Sequence, residues 1–510
     1  MVVNGADGDV LPVPRPAPRW KLRTALALAV VAALVAGGLK AYDEWFVQCA
    51  DGVRKRGPDD ECIGVTDGAH HFDKSLKGVM ERIEEANKEV EKSKKPWVSI
   101  GYVEPMTLGP GDKGRDSIRQ ELEGAYLAQR ELNDPSGGHG DTPQIKLLPA
   151  NPGRGSGQWA PLVDQLAGMT DGKHPMVAVA GFGQSLHTTK KAVEELRKRK
   201  VPMVGSTVTA DQLSDPERLG FFRAVAPNSD QTSAMAKYLK GLQRGKKDFR
   251  IQVIKDRNAD DIYSASLLRG FDKAVKKAGL ELDTIDLPFV SRGEAVPNSL
   301  EAVADKLCGQ PELPDAVYFA GRGRDMKGFI ESAAATGRPC PVTVYSADDT
   351  IGLFFDIPWR KKTNEYEKFL KSWERSEIRI KYTALAHPDA SPDVYPGGKA
   401  NPFDAFRDAY AERFGGVRDL LNGQAMLGHD AVLAVGTAIR DAAGQDGRGK
   451  VNKDSVRELL VQINGRHALA GASGKIDFDD AGNPRNKPQP LVELRPRTRD
   501  EHEYLRVLTP

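Results

Sequence analysis

Four polar residues in two short loops are the first candidates for chemistry. Gln184 and Ser185 come just after the buried run MVAVAGF, and Ser206 and Thr207 come after the run VPMVG. Backbone N–H groups in such loops, together with the positive end of a following helix, can hold a small anion. The Ser and Thr hydroxyls would add donors, but they are also common helix caps. Both roles are open from the sequence, and they can coexist.

A second group of candidates follows other strand-like runs. Glu104 and Thr107 lie after VSIGYV, Tyr263 lies after FRIQVIKD, and Asp348 lies after VTVYSA. Carboxylate, hydroxyl and phenol groups can form hydrogen bonds with a small polar molecule. Each of these side chains could instead be a solvated or hinge residue, and the sequence leaves that choice open.

The loop GRGRDMKG carries two arginines, Arg322 and Arg324, followed by Asp325. An arginine presents a planar fork of N–H donors that suits a carboxylate or a phosphate. If either guanidinium faces a binding cleft, an anionic ligand is favoured. The alternative is a solvated loop. We predict Arg322 as the ligand-binding member of the pair.

Motifs for common catalytic and metal sites are absent from the sequence. It contains no P-loop G-x-x-x-x-G-K-[ST], no H-E-x-x-H zinc motif and no G-x-S-x-G nucleophile elbow. The nine histidines are scattered, and the adjacent pair His70 and His71 cannot alone define a metal site. We therefore predict that the chain is not an enzyme and uses no cofactor or metal. Catalytic groups that converge from distant loops stay an alternative.

From Trp97 onwards, short runs rich in Val, Ile and Ala alternate with amphipathic runs of helical length. Such alternation indicates parallel sheets covered by helices on both faces. Right-handed crossovers then give a doubly wound fold. These sheets bind ligands just beyond the carboxyl ends of their strands, which is where the candidate loops fall.

The order of the elements resembles the type 1 periplasmic binding proteins, in particular the leucine/isoleucine/valine-binding branch. The resemblance covers about 97–510 and rests on VSIGYVEPMTLG, EGAYLAQRELND, VAVAGFGQS with VPMVGSTVT, FFRAVAPNSDQTSAMAKYL, DDIYSASLLRGFDKAVKKAG, HDAVLAVGTAI and SGKIDFDDAGNPR. No single segment is specific, but their order is. Ser264 stands where the family usually has Gly.

This resemblance implies an α/β fold of two doubly wound, Rossmann-like lobes within 96–510, joined by three crossings. The crossings are expected near 222–228, 346–350 and 473–478. The predicted first lobe is 96–224 with 351–472, and the predicted second lobe is 225–350 with 473–510. The ligand would lie between the lobes and be enclosed by hinge closure.

The resemblance also implies roles for the candidate residues. The loops 184–185 and 206–207 would hold a ligand carboxylate, and Tyr263 would pack over the ligand. The family usually has an acidic or small residue where Arg322 stands, so a branched-chain amino acid is in doubt if either arginine of this loop faces the cleft. Asp348 and Asp349 could supply the carboxylate that receives a ligand ammonium.

The N-terminal residues predict a membrane anchor. Residues 1–20 are rich in Pro and Gly and predict a disordered cytoplasmic segment. Residues 21–41 contain LRTALALAVVAALVAGGL, long enough to cross a bilayer as a helix, and the basic residues before it place the rest of the chain outside. A cleaved signal peptide is the alternative. We expect a single-pass cell-membrane protein with an extracytoplasmic C-terminal domain.

Residues 42–95 are predicted as a juxtamembrane segment with a short loop and a helix. We expect that helix to pack on the following domain rather than to form a coiled coil. The four cysteines, in an extracytoplasmic setting, suggest two disulfides. The pairing between sequence neighbours is Cys49 with Cys62 and Cys308 with Cys340. Four buried free thiols are the alternative.

Together these features predict a membrane-tethered solute-binding protein of an ABC importer, with a small polar, amino acid-like or other carboxylate or amide ligand. Its partners would be that solute, a permease and an ATPase, and the membrane through the N-terminal helix. A ligand-sensing receptor ectodomain and a non-catalytic surface-interaction protein are the alternatives. The formal net charge of +2 gives no electrostatic argument for a nucleic-acid partner.

Overall fold

The N-terminal residues and the rest of the chain are described to very different extents. The computed structural model describes residues 47–510 and a few between 20 and 32, leaving out 110–111, 137–139, 141, 247, 294–295, 354–362, 397–400, 445–446, 448 and 497–501. The predicted segments 1–20 and 21–41 therefore lie almost wholly outside the described residues. Among the residues that are described, no helix is both long and apolar enough to cross a membrane.

Two sheets carry most of the strands. In chain order the strands are β1 Gln48–Ala50, β2 Val53–Arg56, β3 Glu61–Val65, β4 Trp97–Val103, β5 Gln144–Asn151, β6 Met176–Gly181, β7 Met203–Gly205, β8 Phe221–Arg223, β9 Ile251–Asp256, β10 Leu287–Phe289, β11 Ala316–Ala320, β12 Thr343–Ser346, β13 Arg379–Thr383, β14 Leu469–Gly471, β15 Gly474–Ile476, β16 Gln489–Leu494 and β17 His502–Leu508. The first sheet has the order β1-β2-β3-β5-β4-β6-β7-β8, and the second has β10-β9-β11-β12-β13-β16-β17. Strands β14 and β15 form a separate antiparallel pair.

Helices cover both sheets. In chain order they are α1 Lys77–Lys92, α2 Arg115–Asn133, α3 Trp159–Gly168, α4 His187–Lys198, α5 Asn228–Gln243, α6 Ile262–Lys277, α7 Val296–Cys308, α8 Gly323–Ala335, α9 Thr363–Ser376, α10 Ser391–Val394, α11 Pro402–Phe414, α12 Gln424–Ala443 and α13 Lys453–Val461. Strands β4 to β8 run parallel, as do β9 to β13. Strand β6, MVAVAG, is buried along its whole length, as a parallel strand covered on both faces should be. The predicted doubly wound α/β lobes are therefore present.

Helices α2 and α12 cross closely at the core of the first lobe. A Cβ added to Gly124 would lie 1.8 Å from the Ala425 carbonyl oxygen, and one added to Gly428 would lie 2.1 Å from the Glu121 carbonyl oxygen. Only glycine permits so close an approach of two backbones. The contact fixes the part of α2 that carries Glu121, which belongs to the site described below.

The second and third crossings differ from the prediction. Strand β13 pairs with β12 on one side and with β16 on the other, so the chain stays in the second lobe until Thr383 and crosses only afterwards. Strand β15 still pairs with β14, and Phe478 packs 5.0 Å from Phe222 of the first lobe. The third crossing therefore lies between Phe478 and Gln489. The predicted crossings at 346–350 and 473–478 are each placed too early.

The segment predicted as juxtamembrane is part of the first lobe where it is described. Strand β3 pairs antiparallel with β5 and extends the first sheet. Helix α1 packs on the same lobe, since Asn87 donates to the Leu147 carbonyl at 2.7 Å and accepts from Gln129 at 2.8 Å. The prediction that this helix packs on the following domain is confirmed, while its separation as a distinct segment is not.

Both predicted disulfides are formed. Cys49 pairs with Cys62 between β1 and β3, and Cys308 pairs with Cys340 across the second lobe. The Cys49–Cys62 bond closes a loop with a sequence separation of 13 at the edge of the first sheet. In the chain-entropy account such a loop restricts the unfolded chain by about 3 kcal/mol.

We expect the double substitution Cys49→Ser with Cys62→Ser to lower the free energy of unfolding by about 3 kcal/mol. The reason is that the unfolded chain regains the freedom that the bond removes. Urea unfolding of the oxidised parent and the variant, with no reductant, measures the difference. A thiol titration of both proteins is the control, because it shows that the Cys308–Cys340 bond stays formed in each. A loss below about 1 kcal/mol would show that the β1–β3 edge is held by its strand pairing instead.

Candidate functional site

A small cavity lies between the lobes, at the carboxyl ends of both parallel sheets. The first lobe lines it with Lys113, Gln184, Thr207 and Gln424, and the second lobe lines it with Tyr263, Arg322, Asp348 and Tyr382. Its volume of about 50 Å³ gives room for a few water molecules. A larger ligand therefore requires the lobes to separate before it can enter.

The predicted loops of the first lobe reach this cavity, but their hydroxyl groups are already bonded within the protein. Ser185 Oγ accepts the backbone N–H of Thr209 at 3.0 Å and of Ala210 at 3.1 Å. Neither Ser185 nor Thr207 caps a helix, because the N-cap of α4 is Leu186 and the N-cap of the helical turn that follows Thr207 is Ala210. The capping alternative is therefore wrong, and Ser185 serves to hold two loops together.

A buried carboxylate, Glu121, organises this side of the site. It receives hydrogen bonds from Ser206 Oγ at 2.8 Å, Thr207 Oγ1 at 3.0 Å and Tyr102 OH at 3.1 Å, and it forms an ion pair with Lys113 Nζ. Glu121 is fully buried. We call these five residues the Glu121 cluster. Sequence reasoning missed Lys113 and Glu121, although a glutamate on the apolar face of an amphipathic helix was the available signal.

Two predicted residues of the first loop stand back from the cavity. Glu104 is fully buried behind the 183–185 loop and accepts the Gly183 N–H at 3.0 Å. Burial raises the pKa of Glu104 to about 7, against the opposing effect of Lys113. Thr107 Oγ1 accepts from Asn151 at 2.7 Å and does not line the cavity. Glu104 and Thr107 thus support the loops rather than face the ligand space.

On the second lobe, Arg322 lines the cavity but its charge is already balanced. Its Nε and Nη2 donate to Asp261 at 2.6 and 2.9 Å, and its Nη1 donates to Asp349 at 3.2 Å. Its Nη2 also donates to the Ser185 carbonyl of the first lobe at 3.0 Å. Burial alone would lower the pKa of Arg322, but the two carboxylates raise it.

The suggestion that an arginine in this loop favours an anionic ligand is therefore not supported. Arg322 is 3% exposed, and its guanidinium donates its hydrogen bonds to carboxylates of the protein. Arg324 is 45% exposed and lies beside Asp325. A ligand anion would have to compete with carboxylates that are already in place. The spacing of arginines in GRGRDMKG could not reveal this, because the partners lie in two other loops.

Asp348 is the carboxylate that stays open to the cavity. Its Oδ1 accepts from Gln231 Nε2 at 2.7 Å, Tyr263 OH at 3.2 Å and Thr209 Oγ1 at 3.4 Å. Its Oδ2 takes no hydrogen bond from the described residues. Burial, with the like charge of Asp349 beside it, raises the pKa of Asp348 to about 7. The predicted residues Tyr263, Arg322 and Asp348 are thus brought together on one wall.

Two glutamines in the cavity have buried side-chain oxygens without a hydrogen-bond partner among the described residues. These are the Oε1 atoms of Gln184 and Gln424. An unpaired buried polar atom costs about 1–3 kcal/mol, so a ligand group that bonds to them gains that energy back. Gln184 was predicted from the sequence, whereas Gln424 opens α12 and gave no signal there.

The titration of Asp348 gives a pH prediction. Its folded pKa of about 7 lies above the usual value of 3.8, so between these values the folded chain holds a proton that the unfolded chain has lost. Stability from this group is therefore full below about pH 4 and falls as the pH rises to about 7. We expect Asp348→Asn, which cannot ionise, to gain about 1–3 kcal/mol relative to the parent between about pH 5 and pH 8.

Urea unfolding of both proteins without ligand, at several pH values, measures this relative gain. Asp389→Asn is the matched control, because the Asp389 side chain is 67% exposed and lies outside the cavity. A pH-independent difference between Asp348→Asn and the parent would contradict the raised pKa of Asp348.

The described residues hold no group of three or more His, Cys, Asp or Glu side chains that could bind a metal ion. The polar atoms at the cavity are instead hydrogen-bonding groups spread over both walls. Such an arrangement can bind and orient a small polar molecule that contacts both lobes.

No family model and no curated protein matches the sequence. Solved structures do match it. A leucine-binding protein from Thermotoga maritima superposes with a TM-score of 0.57 at 19% identity, covering 81% of this chain and 99% of that one. A branched-chain amino acid transporter substrate-binding protein from Streptococcus pneumoniae, in complex with isoleucine, gives 0.56 at 18% identity and covers 81% and 100%.

A branched-chain amino acid ABC transporter protein from Thermus thermophilus with bound valine gives a TM-score of 0.55 at 11% identity, with 81% and 96% coverage. The chain therefore has the type 1 periplasmic binding fold. At this level of identity the likeness establishes the fold and leaves the ligand to be argued from the site.

Proposed function

We propose that this chain is a solute-binding protein that encloses a small polar ligand between its two lobes and carries out no reaction on it. The observation that carries the proposal is the cavity itself. Polar groups of both lobes converge there at the carboxyl ends of two parallel sheets, where such folds bind ligands. The unpaired oxygens of Gln184 and Gln424 and the open Oδ2 of Asp348 then await ligand donors.

The proposal includes closure of the lobes by a hinge. Arg322 already bonds to the Ser185 carbonyl across the cleft, and Ser266 Oγ of the second lobe bonds to Asp211 of the first at 2.5 Å. A ligand that touches both walls adds to these contacts and so favours the closed state. The crossings at 224–227, 384–388 and 479–488 are where the chain would bend.

We further propose that the protein works outside the cytoplasm as the binding component of an ABC importer, held at the membrane by residues 21–41. The apolar run with its preceding basic residues supports the anchor, and two disulfides support an oxidising compartment. The named functions of structures with the same fold support the importer. Genes for a permease and an ATPase beside this gene would favour it over a receptor, which would have a kinase or regulator gene instead.

The direct test is a thermal-shift screen of the full-length chain against amino acids, amines, amides, carboxylates and sugars. A ligand at about 100 times its dissociation constant should add roughly 2.7 kcal/mol to the free energy of unfolding. As a control, Leu385→Trp places a large side chain in the cavity wall and should remove the shift. A chain that no compound stabilises would contradict the proposal and favour a surface-interaction role.

A further inference from the structure

The hydroxyl and ammonium side chains at the first wall of the cavity already contact a protein carboxylate. The hydroxyls of Ser206 and Thr207 and the ammonium of Lys113 all contact the carboxylate of Glu121. A buried carboxylate with several charge-assisted hydrogen bonds is expensive to displace. A second carboxylate brought by a ligand would meet Glu121 as a like charge in a buried site.

The charges around the cavity leave an excess of acid. The cations are Lys113 and Arg322, and the carboxyl groups on or directly behind the walls are those of Glu104, Glu121, Asp261, Asp348 and Asp349. Lys113 is balanced by Glu121, and Arg322 is balanced by Asp261 with Asp349. Asp348 has no cationic partner among the described residues.

The cavity contains hydrogen-bond acceptors without a partner in the described part of the chain, which favours a ligand that carries a hydrogen-bond donor. Asp348 Oδ2 is open, and Gln424, which is 5% exposed, has an unpaired Oε1 in the same cavity. A glutamine amide can accept a hydrogen bond through its oxygen or donate one through its nitrogen. Gln424 therefore does not select the charge of the ligand. The carboxylate of Asp348 does select it, because it favours a positively charged group.

We infer that the cleft takes a small primary amine that carries no carboxylate of its own. An ammonium has three N–H donors, which match Asp348 Oδ2 and the two glutamine oxygens. The apolar side chains of Ile351 and Leu385 in the same walls suit a short alkyl group. This inference rests on the proposed function and names its ligand class.

The test compares three compounds built on one alkyl group, by calorimetric titration into the full-length chain. Isoamylamine has the amine alone, isocaproate has the carboxylate alone, and leucine has both. We expect isoamylamine to bind at least about 30-fold more tightly than leucine, because the carboxylate of leucine would face Glu121. We expect no measurable binding of isocaproate.

Two variants locate the effect. Asp348→Asn should weaken the binding of isoamylamine by at least about 30-fold, while the exposed control Asp389→Asn should leave it unchanged. Glu121→Gln keeps the side-chain shape and removes the charge, so leucine should gain affinity relative to isoamylamine. An unchanged preference in Glu121→Gln would contradict its assignment as the group that excludes a carboxylate.

The outcomes separate this inference from the proposed function. Tighter binding of leucine or isocaproate than of isoamylamine would overturn the amine ligand and leave a solute-binding protein. Unaltered isoamylamine binding in Asp348→Asn would overturn the assignment of Asp348. Failure of every compound in the wider thermal-shift screen would overturn both.

Discussion

Replacement of Arg322 by methionine is expected to lower the free energy of unfolding by about 3–5 kcal/mol. The guanidinium is buried and forms bonds to Asp261 and Asp349 on its own lobe and to the Ser185 carbonyl on the other. Methionine fills a similar space but leaves two carboxylates in a buried site with no counter-ion. Urea unfolding at neutral pH measures the loss.

Two further proteins make the Arg322 experiment specific. Arg324→Met changes an arginine two positions along the chain that is 45% exposed, and such surface changes fall within about 0.5 kcal/mol. Asp261→Asn in the Arg322→Met background removes one stranded charge, while the Asn oxygen can still cap α6 by accepting the Tyr263 and Ser264 N–H groups that Asp261 now accepts. It should recover part of the stability. Equal free energies of unfolding for Arg322→Met and Arg324→Met would contradict the prediction that the buried charge of Arg322 stabilises the fold.

The pKa of Asp261 explains why this ion pair matters. Burial alone would raise the pKa, but the Arg322 guanidinium and the backbone N–H groups at the start of α6 outweigh burial and hold it below the ordinary value. Loss of Arg322 removes that support and leaves burial as the dominant effect. Arg322→Met should therefore lose less stability at mildly acidic pH, where Asp261 can take up a proton.

Much of the fold could be predicted from the hydrophobic pattern of the sequence. Strand β13 is an exception, and it shows what the pattern cannot indicate. Strands such as β6 are uninterrupted apolar runs and were predictable. Strand β13 reads RIKYT, with two cations in five residues, yet it lies inside the second sheet. Lys381 is only 15% exposed, and Glu493 of β16, 3.8 Å away, balances its charge; Arg379 lies 2.9 Å from the same carboxylate but is 58% exposed. That pairing joins residues more than a hundred positions apart, so the local pattern could not indicate it.

The candidate site shows the same division. The loops after the strands were predictable because parallel strands deliver them to one edge, and Gln184, Thr207, Tyr263, Arg322 and Asp348 do line the cavity. What each side chain does there depends on its partners. Long-range contacts balance Arg322 and leave Asp348 open, so the arginines of the loop give no argument for an anionic ligand.

The second large effect is expected at Asp430, on the first lobe and away from the cavity. This buried carboxylate of α12 accepts the Ala472 N–H at 2.7 Å and the Ser473 N–H at 2.9 Å, and it lies 4.0 Å from Lys487 Nζ. It therefore ties α12 to the chain just before the third crossing. Burial lowers the pKa of Lys487 to about 8, although Asp430 opposes the shift.

We expect Asp430→Asn to lower the free energy of unfolding by about 3–5 kcal/mol, because it leaves the Lys487 ammonium buried without its counter-ion. Urea unfolding at neutral pH gives the value, and Asp454→Asn, whose parent side chain is 54% exposed, is the control. The double variant Asp430→Asn with Lys487→Met removes both charges and should recover part of the loss. A double variant as unstable as the sum of the two single variants would show that the ion pair is not the cause.

Asp430 also allows stability and ligand binding to be separated. Its carboxylate lies behind α12, whereas Gln424 at the start of the same helix lines the cavity. If Asp430 only anchors the third crossing, Asp430→Asn should retain its ligand affinity at temperatures where it is folded. A matching loss of affinity would mean that this anchor also sets the position of the cavity wall, since α12 would then shift as a rigid element that carries Gln424 with it.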